Sequence, residues 1–191
     1  FVATPELHSD AAIEADPLPP GQVWAISPGG MDAAPSLYRI EATSGPGGGV
    51  KILNAPVPPA FRESVRFGEQ NLYSQARELV GDRDPRSHEF SVQLRAMDSD
   101  RSGHGLGLPV LLALCGTLME RSTKGGLIVV GSLNLGGSIE MIPNPVAVAE
   151  LAVEAVEFVL GRLRRHRDTR RGGLEVVGRE AHGRAQPTDQ K

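Results

Sequence analysis

Ser102 and His104 stand two residues apart in the polar stretch MDSDRSGHG, with Asp98 and Asp100 just upstream. Serine, histidine and aspartate are the parts of nucleophilic acyl transfer, in which an imidazole takes the hydroxyl proton and a carboxylate orients the imidazole. Such a triad is made by geometry, and neighbours this close in sequence rarely point at one another. The same residue types also build turns and helix starts, with Gly for permissive φ and Asp or Ser for local hydrogen bonds. The stretch therefore reads as a helix-start turn, with Ser102 and His104 as a fallback nucleophile and base. Ser132 follows an apolar run and has no base near it in sequence, which points to turn or core use.

A serine can also be activated by a lysine whose pKa has been lowered by burial. The chain has only three lysines: Lys51 in an early apolar stretch, Lys124 just before KGGLIVVG is under way, and Lys191 at the end. The five histidines (His8, His88, His104, His166 and His182) are scattered, and Cys115 is the one cysteine. Neither a zinc site nor a disulfide framework finds support in that pattern, and one cysteine suits a reducing cytoplasm. GPGGG at 45–49 lacks the Gly-Lys-Ser/Thr of a phosphate-binding loop and reads as a hairpin connection, so no ATPase chemistry is expected in this chain.

The elements that must position these residues follow from periodicity. VWAIS, LYRIEA and VKIL read as strands. From Pro59 to Val80, Phe61, Val65, Leu72, Ala76 and Leu79 recur on one helical face. EFSVQLR alternates as a half-buried strand, and a second helix runs from Leu106 to Met119. KGGLIVVG reads as a buried strand and LNLGGSIEMI as a hairpin. PVAVAELAVEAVEFVL is a third helix, with Pro145 in its first turn and Asn144 as N-cap. The expected fold is α/β (α+β): a mixed sheet with about three helices.

Composition narrows the function classes. Of 191 residues, 40% are hydrophobic but only 4% aromatic, so the core rests on aliphatic side chains and no base-stacking platform is expected. The net charge of −3 argues against a domain-wide nucleic-acid footprint. Charge is uneven: residues 161–191 hold nine Lys/Arg against four Asp/Glu, leaving 11 against 19 elsewhere. The expected organisation is an acidic, proline-containing linker at 1–20, a domain at 21–160 and a basic tail at 161–191, with LEVV as its one candidate strand. That tail is expected to be either a divergent ending or a frame-shifted reading of a GC-rich gene. The opening Phe1 suggests a piece of something longer, and no apolar run is long enough to span a bilayer.

The order of these words resembles the proteolytic domain of Lon over residues 20–155. PGQVWAIS, LYRIEA and VKILNAPVPPAFRESVRFGEQNLYSQAREL match its opening, with Arg62-Glu63-Ser64 where the family has Lys-Glu-Ser. GLIVVGSLNLGGSIEMIPNPVAVAELA is similar to its strand, hairpin and helix around Thr-Gly-Glu. The resemblance implies a serine–lysine dyad, with the serine at the start of the second helix in Asp-Gly-Pro-Ser-Ala-Gly and a supporting threonine. Placed on Gly131 as the glycine of Thr-Gly-Glu, the serine falls on Gly105, the threonine on Val130 and the lysine on Val148. No catalytic residue is then expected, because neither Gly nor Val can act as nucleophile or base. GHGLGLPVLLALCGTLMERSTKGG and RESVRFGEQNLYSQAREL are more similar to one branch, the Lon-related BrxL family of bacterial BREX phage defence. That resemblance implies a preceding AAA+ motor using ATP and magnesium, homo-oligomeric rings acting on DNA, a cytoplasmic setting, and a structural role for this domain. Two rivals remain: an active Lon-type serine peptidase, and DNA binding through the arginine-rich tail.

Overall fold

The computed structural model describes residues 13, 16–29, 33–97 and 102–156. The linker before residue 13, the tail at 161–191 with LEVV, and the carboxylates Asp98 and Asp100 lie outside the described residues. The elements are β1 (Gln22–Ser27), β2 (Ser36–Pro46), β3 (Gly49–Ile52), α1 (Pro59–Ser74), α2 (Ala76–Val80), β4 (His88–Ala96), α3 (Gly107–Leu118) and β5 (Ile128–Val129). A last helix, α4, covers 145–156. The sheet runs β3-β4-β2-β1-β5, with β1–β5 and β3–β4 parallel and the inner pairs antiparallel. The expected mixed α/β architecture is what the chain adopts.

Alternation along the strands separates two cores. Val23, Ala25, Tyr38, Ile40, Ala42, Phe90, Val92 and Leu94 point to the face covered by α1 and α3. Trp24, Ile26 and Leu37 point the other way, into a smaller cluster with Val148, Leu151 and Ala155 of α4. Ile13 and Leu18 are buried in that cluster too, so the segment just before residue 21 contributes to the core. Asn144 caps α4 as its sequence suggests: its Oδ1 accepts from Ala147 N–H at 3.4 Å, and its φ of 48° is one that Asn tolerates.

Three local expectations are corrected. The glycine turn after β2 does not close a hairpin, because β3 pairs with β4 and not with β2. Gly47, at φ 141°, carries the chain past the start of β4, where a Cβ would stand 2.9 Å from that of Glu89. The long first helix also breaks: Gln75, at φ −117° and ψ 22°, separates α1 from α2. KGGLIVVG yields only the two ladder residues of β5.

The α1–α3 contact is built on Gly68. A Cβ there would meet Val110 Cγ1 at 2.9 Å and Leu111 N at 3.2 Å. Alanine at a helix-interior glycine ordinarily gains about 1 kcal/mol, whereas overpacking a tight contact costs about 1–3 kcal/mol. Gly68→Ala is therefore expected to lower the urea midpoint of unfolding; a raised midpoint would contradict this close approach.

Candidate functional site: the loop before α3

The loop from Gly103 to Leu106 is buried at three of its four residues, so its backbone must find partners inside the protein. Hydroxyls on three elements supply them. Tyr38 Oη on β2 accepts from Gly103 N–H at 3.3 Å. Ser27 Oγ at the end of β1 donates to His104 C=O at 2.7 Å. Ser64 Oγ on α1 accepts from Leu106 N–H at 3.2 Å and lies 3.1 Å from Ala60 C=O and 3.4 Å from Gly103 C=O. Further along α1, fully buried Asn71 donates through Nδ2 to Asn134 C=O at 3.0 Å. That bond ties α1 to the hairpin closed by the Leu133–Ile139 bridge. The buried, otherwise apolar side of α1 thus carries two polar anchors, Ser64 and Asn71.

Loop and hairpin together enclose a cleft of about 250 Å³ whose lining includes Glu63, Ser64, His104, Gly105, Ser132 and Glu140. Gly105 sits in the left-handed region at φ 68°, and a Cβ there would stand 2.9 Å from Ser132 Oγ and 3.2 Å from Pro28 Cδ. A side chain at this position is strained before its chemistry is considered. Sequence spacing did not show that Ser132 occupies this flank of the cleft, because contact between residues 105 and 132 depends on the hairpin's return.

The remaining candidates are dispersed. Val148 is buried in the smaller core, with Val130 packed against the same cluster, and neither lines the cleft. Ser102 is exposed and is not part of the cleft lining; only His104 of the fallback pair is. Lys51 is ion-paired with Glu89 at 2.7 Å on the far edge of the sheet, and Lys124 is exposed in the turn before β5. Lys191, His8, His166 and His182 lie outside the described residues. Among the described residues no group of His, Cys, Asp or Glu could hold a metal ion, and no helix is long and apolar enough to cross a membrane.

Cys115 is no alternative nucleophile. It is buried in α3, and burial pushes its thiol from the ordinary 9.0 up to about 11, which keeps it protonated at neutral pH.

No family model matches the chain. It is similar to the Lon-like protease BrxL of Escherichia coli O9:H4 (strain HS), at 23% identity over 156 residues. The match covers 81% of this chain and 22% of that protein, so the chain spans about a fifth of its relative's length.

Two outcomes are expected. Ser64→Ala leaves the buried Leu106 N–H without its acceptor and should cost about 1–3 kcal/mol in urea unfolding; an unchanged midpoint would show that the loop does not need this anchor. For Cys115, the unfolded thiol releases its proton near 9.0 while the folded one holds it to about 11. The folded state then binds more protons across that window, so stability is flat below it and falls as pH rises through it, by at most about 3 kcal/mol. Cys115→Ala should flatten this slope, and an equal slope in the variant would contradict the assignment. With its mixed sheet and its anchored loop, the chain is thus similar in sequence to a Lon-like protease over most of its length.

Proposed function

We propose that the chain is a non-catalytic Lon-like domain that serves assembly within a larger BREX-associated protein. The observation that carries this reading is Gly105, where the resemblance to Lon would put the serine nucleophile. Its backbone is left-handed and the space beyond its Cα is bounded by Ser132 and Pro28. The position thus lacks a hydroxyl and disfavours any side chain that could carry one. At the position of the base, Val148 lies in an apolar cluster, where an unpaired lysine would be costly. On this reading the AAA+ motor, with its ATP and magnesium, belongs to the rest of the longer protein. DNA is a partner of that assembly, which works in the cytoplasm.

The assembly role is supported by apolar side chains left in solvent. Met141 is 95% exposed, Val146 66%, Ile139 60% and Val153 58%. They belong to the hairpin, the turn after it and α4, where Val146 and Val153 line one mainly apolar groove with Pro145 and Ala149, and exposed apolar surface of this kind marks protein contacts. Light scattering of the chain should show concentration-dependent self-association that Val153→Asp abolishes. A monomer at every concentration would contradict the assembly reading.

Catalytic vacancy is tested by attempting repair. Gly105→Ser is expected to cost about 1–2 kcal/mol through its left-handed backbone. Gly105→Ser combined with Val148→Lys is expected to leave fluorescent casein uncut. Casein hydrolysis by the double variant, or by the unaltered chain, would favour the peptidase reading instead.

A further inference from the structure

The β4 edge beside β3 ends in an unusual way. Leu53 N–H donates to Val92 C=O at 2.9 Å, and then the Asn54 side chain replaces the strand. Its Nδ2 donates to Leu94 C=O and its Oδ1 accepts from Leu94 N–H, both at 2.8 Å. Alternate residues of β4 turn their backbone groups toward this edge, so Ala96 follows Val92 and Leu94. The next residue confirms the phase, since Met97 N–H reaches Leu37 C=O on the β2 side. Neither Ala96 N–H nor Ala96 C=O has a partner among the described residues. Both open into a groove of about 690 Å³ between Asn54–Pro59 and Leu94–Ala96. Pro56, Pro58 and Pro59 on the opposite wall have no N–H with which to fill it.

The groove also carries unbalanced charge. Arg95 lies across the sheet from Arg39, a like-charged pair. Glu41 serves both, at 3.3 Å from Arg39 Nε and 3.2 Å from Arg95 Nη1. One carboxylate is thus shared by two guanidiniums, and the Arg95 side chain remains 54% exposed with donors to spare. A strand laid along this edge would set one residue directly beside Arg95 on the same face of the sheet.

We propose that this groove binds an extended peptide segment of a partner protein by strand addition, pairing with Ala96 N–H and C=O and placing an acidic side chain on Arg95. The mode is main-chain pairing for affinity and one charge for selection. It goes beyond the assembly reading and holds whether or not the cleft at Gly105 is catalytic.

The test uses the full chain and fluorescent, end-blocked ten-residue peptides of alternating valine and threonine with Asp, Asn or Lys at a central position, read by anisotropy. The Asp peptide should bind about tenfold more tightly than the Lys peptide, the size of effect one exposed charge pair or hydrogen bond can give. Arg95→Glu should invert that order, and Ala96→Pro, which removes the N–H, should weaken every peptide. Should Ala96→Pro fail to fold, the Arg95→Glu inversion still decides. Equal binding of Asp and Lys peptides, no binding at millimolar peptide, or binding untouched by a folded Ala96→Pro would each overturn the proposal. So would a groove already filled by a second copy, seen as a change in oligomeric mass in Arg95→Glu together with exclusion of every peptide.

Discussion

A loop buried inside a protein needs partners for the backbone groups it takes from water, and between Gly103 and Leu106 three hydroxyls supply four of them. Tyr38, Ser27 and Ser64 come from β2, β1 and α1, so the loop is the point where both layers of the domain meet. Its conformation constrains what surrounds it. Gly103 is at φ 62°, and a Cβ there would stand 2.7 Å from Leu94 Cδ2 and 2.9 Å from Phe61 Cβ. The start of α3 is equally close, since a Cβ on Gly107 would lie 3.1 Å from Leu133 N. Strand, helix and hairpin can approach this closely because Gly103, Gly105 and Gly107 carry no side chain between them.

The same geometry underlies the proposed catalytic vacancy. A Lon-type mechanism asks for a hydroxyl on the loop and a base on the last helix. The loop offers backbone hydrogen at Gly105, and α4 turns Val148 toward Trp24 and Ile26. Ser132 borders the space by Gly105, but among the described residues the lysines are elsewhere: Lys51 is held by Glu89, and Lys124 is in solvent. On the proposed reading, packing at Gly105 and Val148 stands where a Lon-type site would have polar groups. What the molecule leaves available instead is surface: apolar side chains on the hairpin and α4, and an unfinished edge on β4.

Much of this was legible in the sequence. The 3.6-residue pattern of Phe61, Val65 and Leu72 located α1, the apolar run around Cys115 located α3, and Asn144-Pro145 marked the start of α4. Strand order was not legible, because β3 crosses beyond β4 through a turn whose glycines look the same in a hairpin. The break at Gln75 was hidden, since Ala76 and Leu79 continue the helical period after the backbone has left it. The anchors were harder still. Ser64 and Asn71 are polar residues on the apolar side of a helix, and their partners lie 39 to 63 positions away in sequence. Only the family resemblance drew attention to Ser64, and nothing drew attention to Asn71. Gly105 was found by alignment, but its left-handed backbone and its neighbour Ser132 are tertiary facts.

The proposed catalytic vacancy requires that no serine of this domain is activated. Its most direct test is intact-mass spectrometry of the unaltered chain after incubation with a fluorophosphonate probe, which modifies any serine that a neighbouring base has made nucleophilic. An unchanged mass is expected. A single stoichiometric adduct, mapped to Ser132 or Ser102, would show that the cleft beside Gly105 is an active site after all.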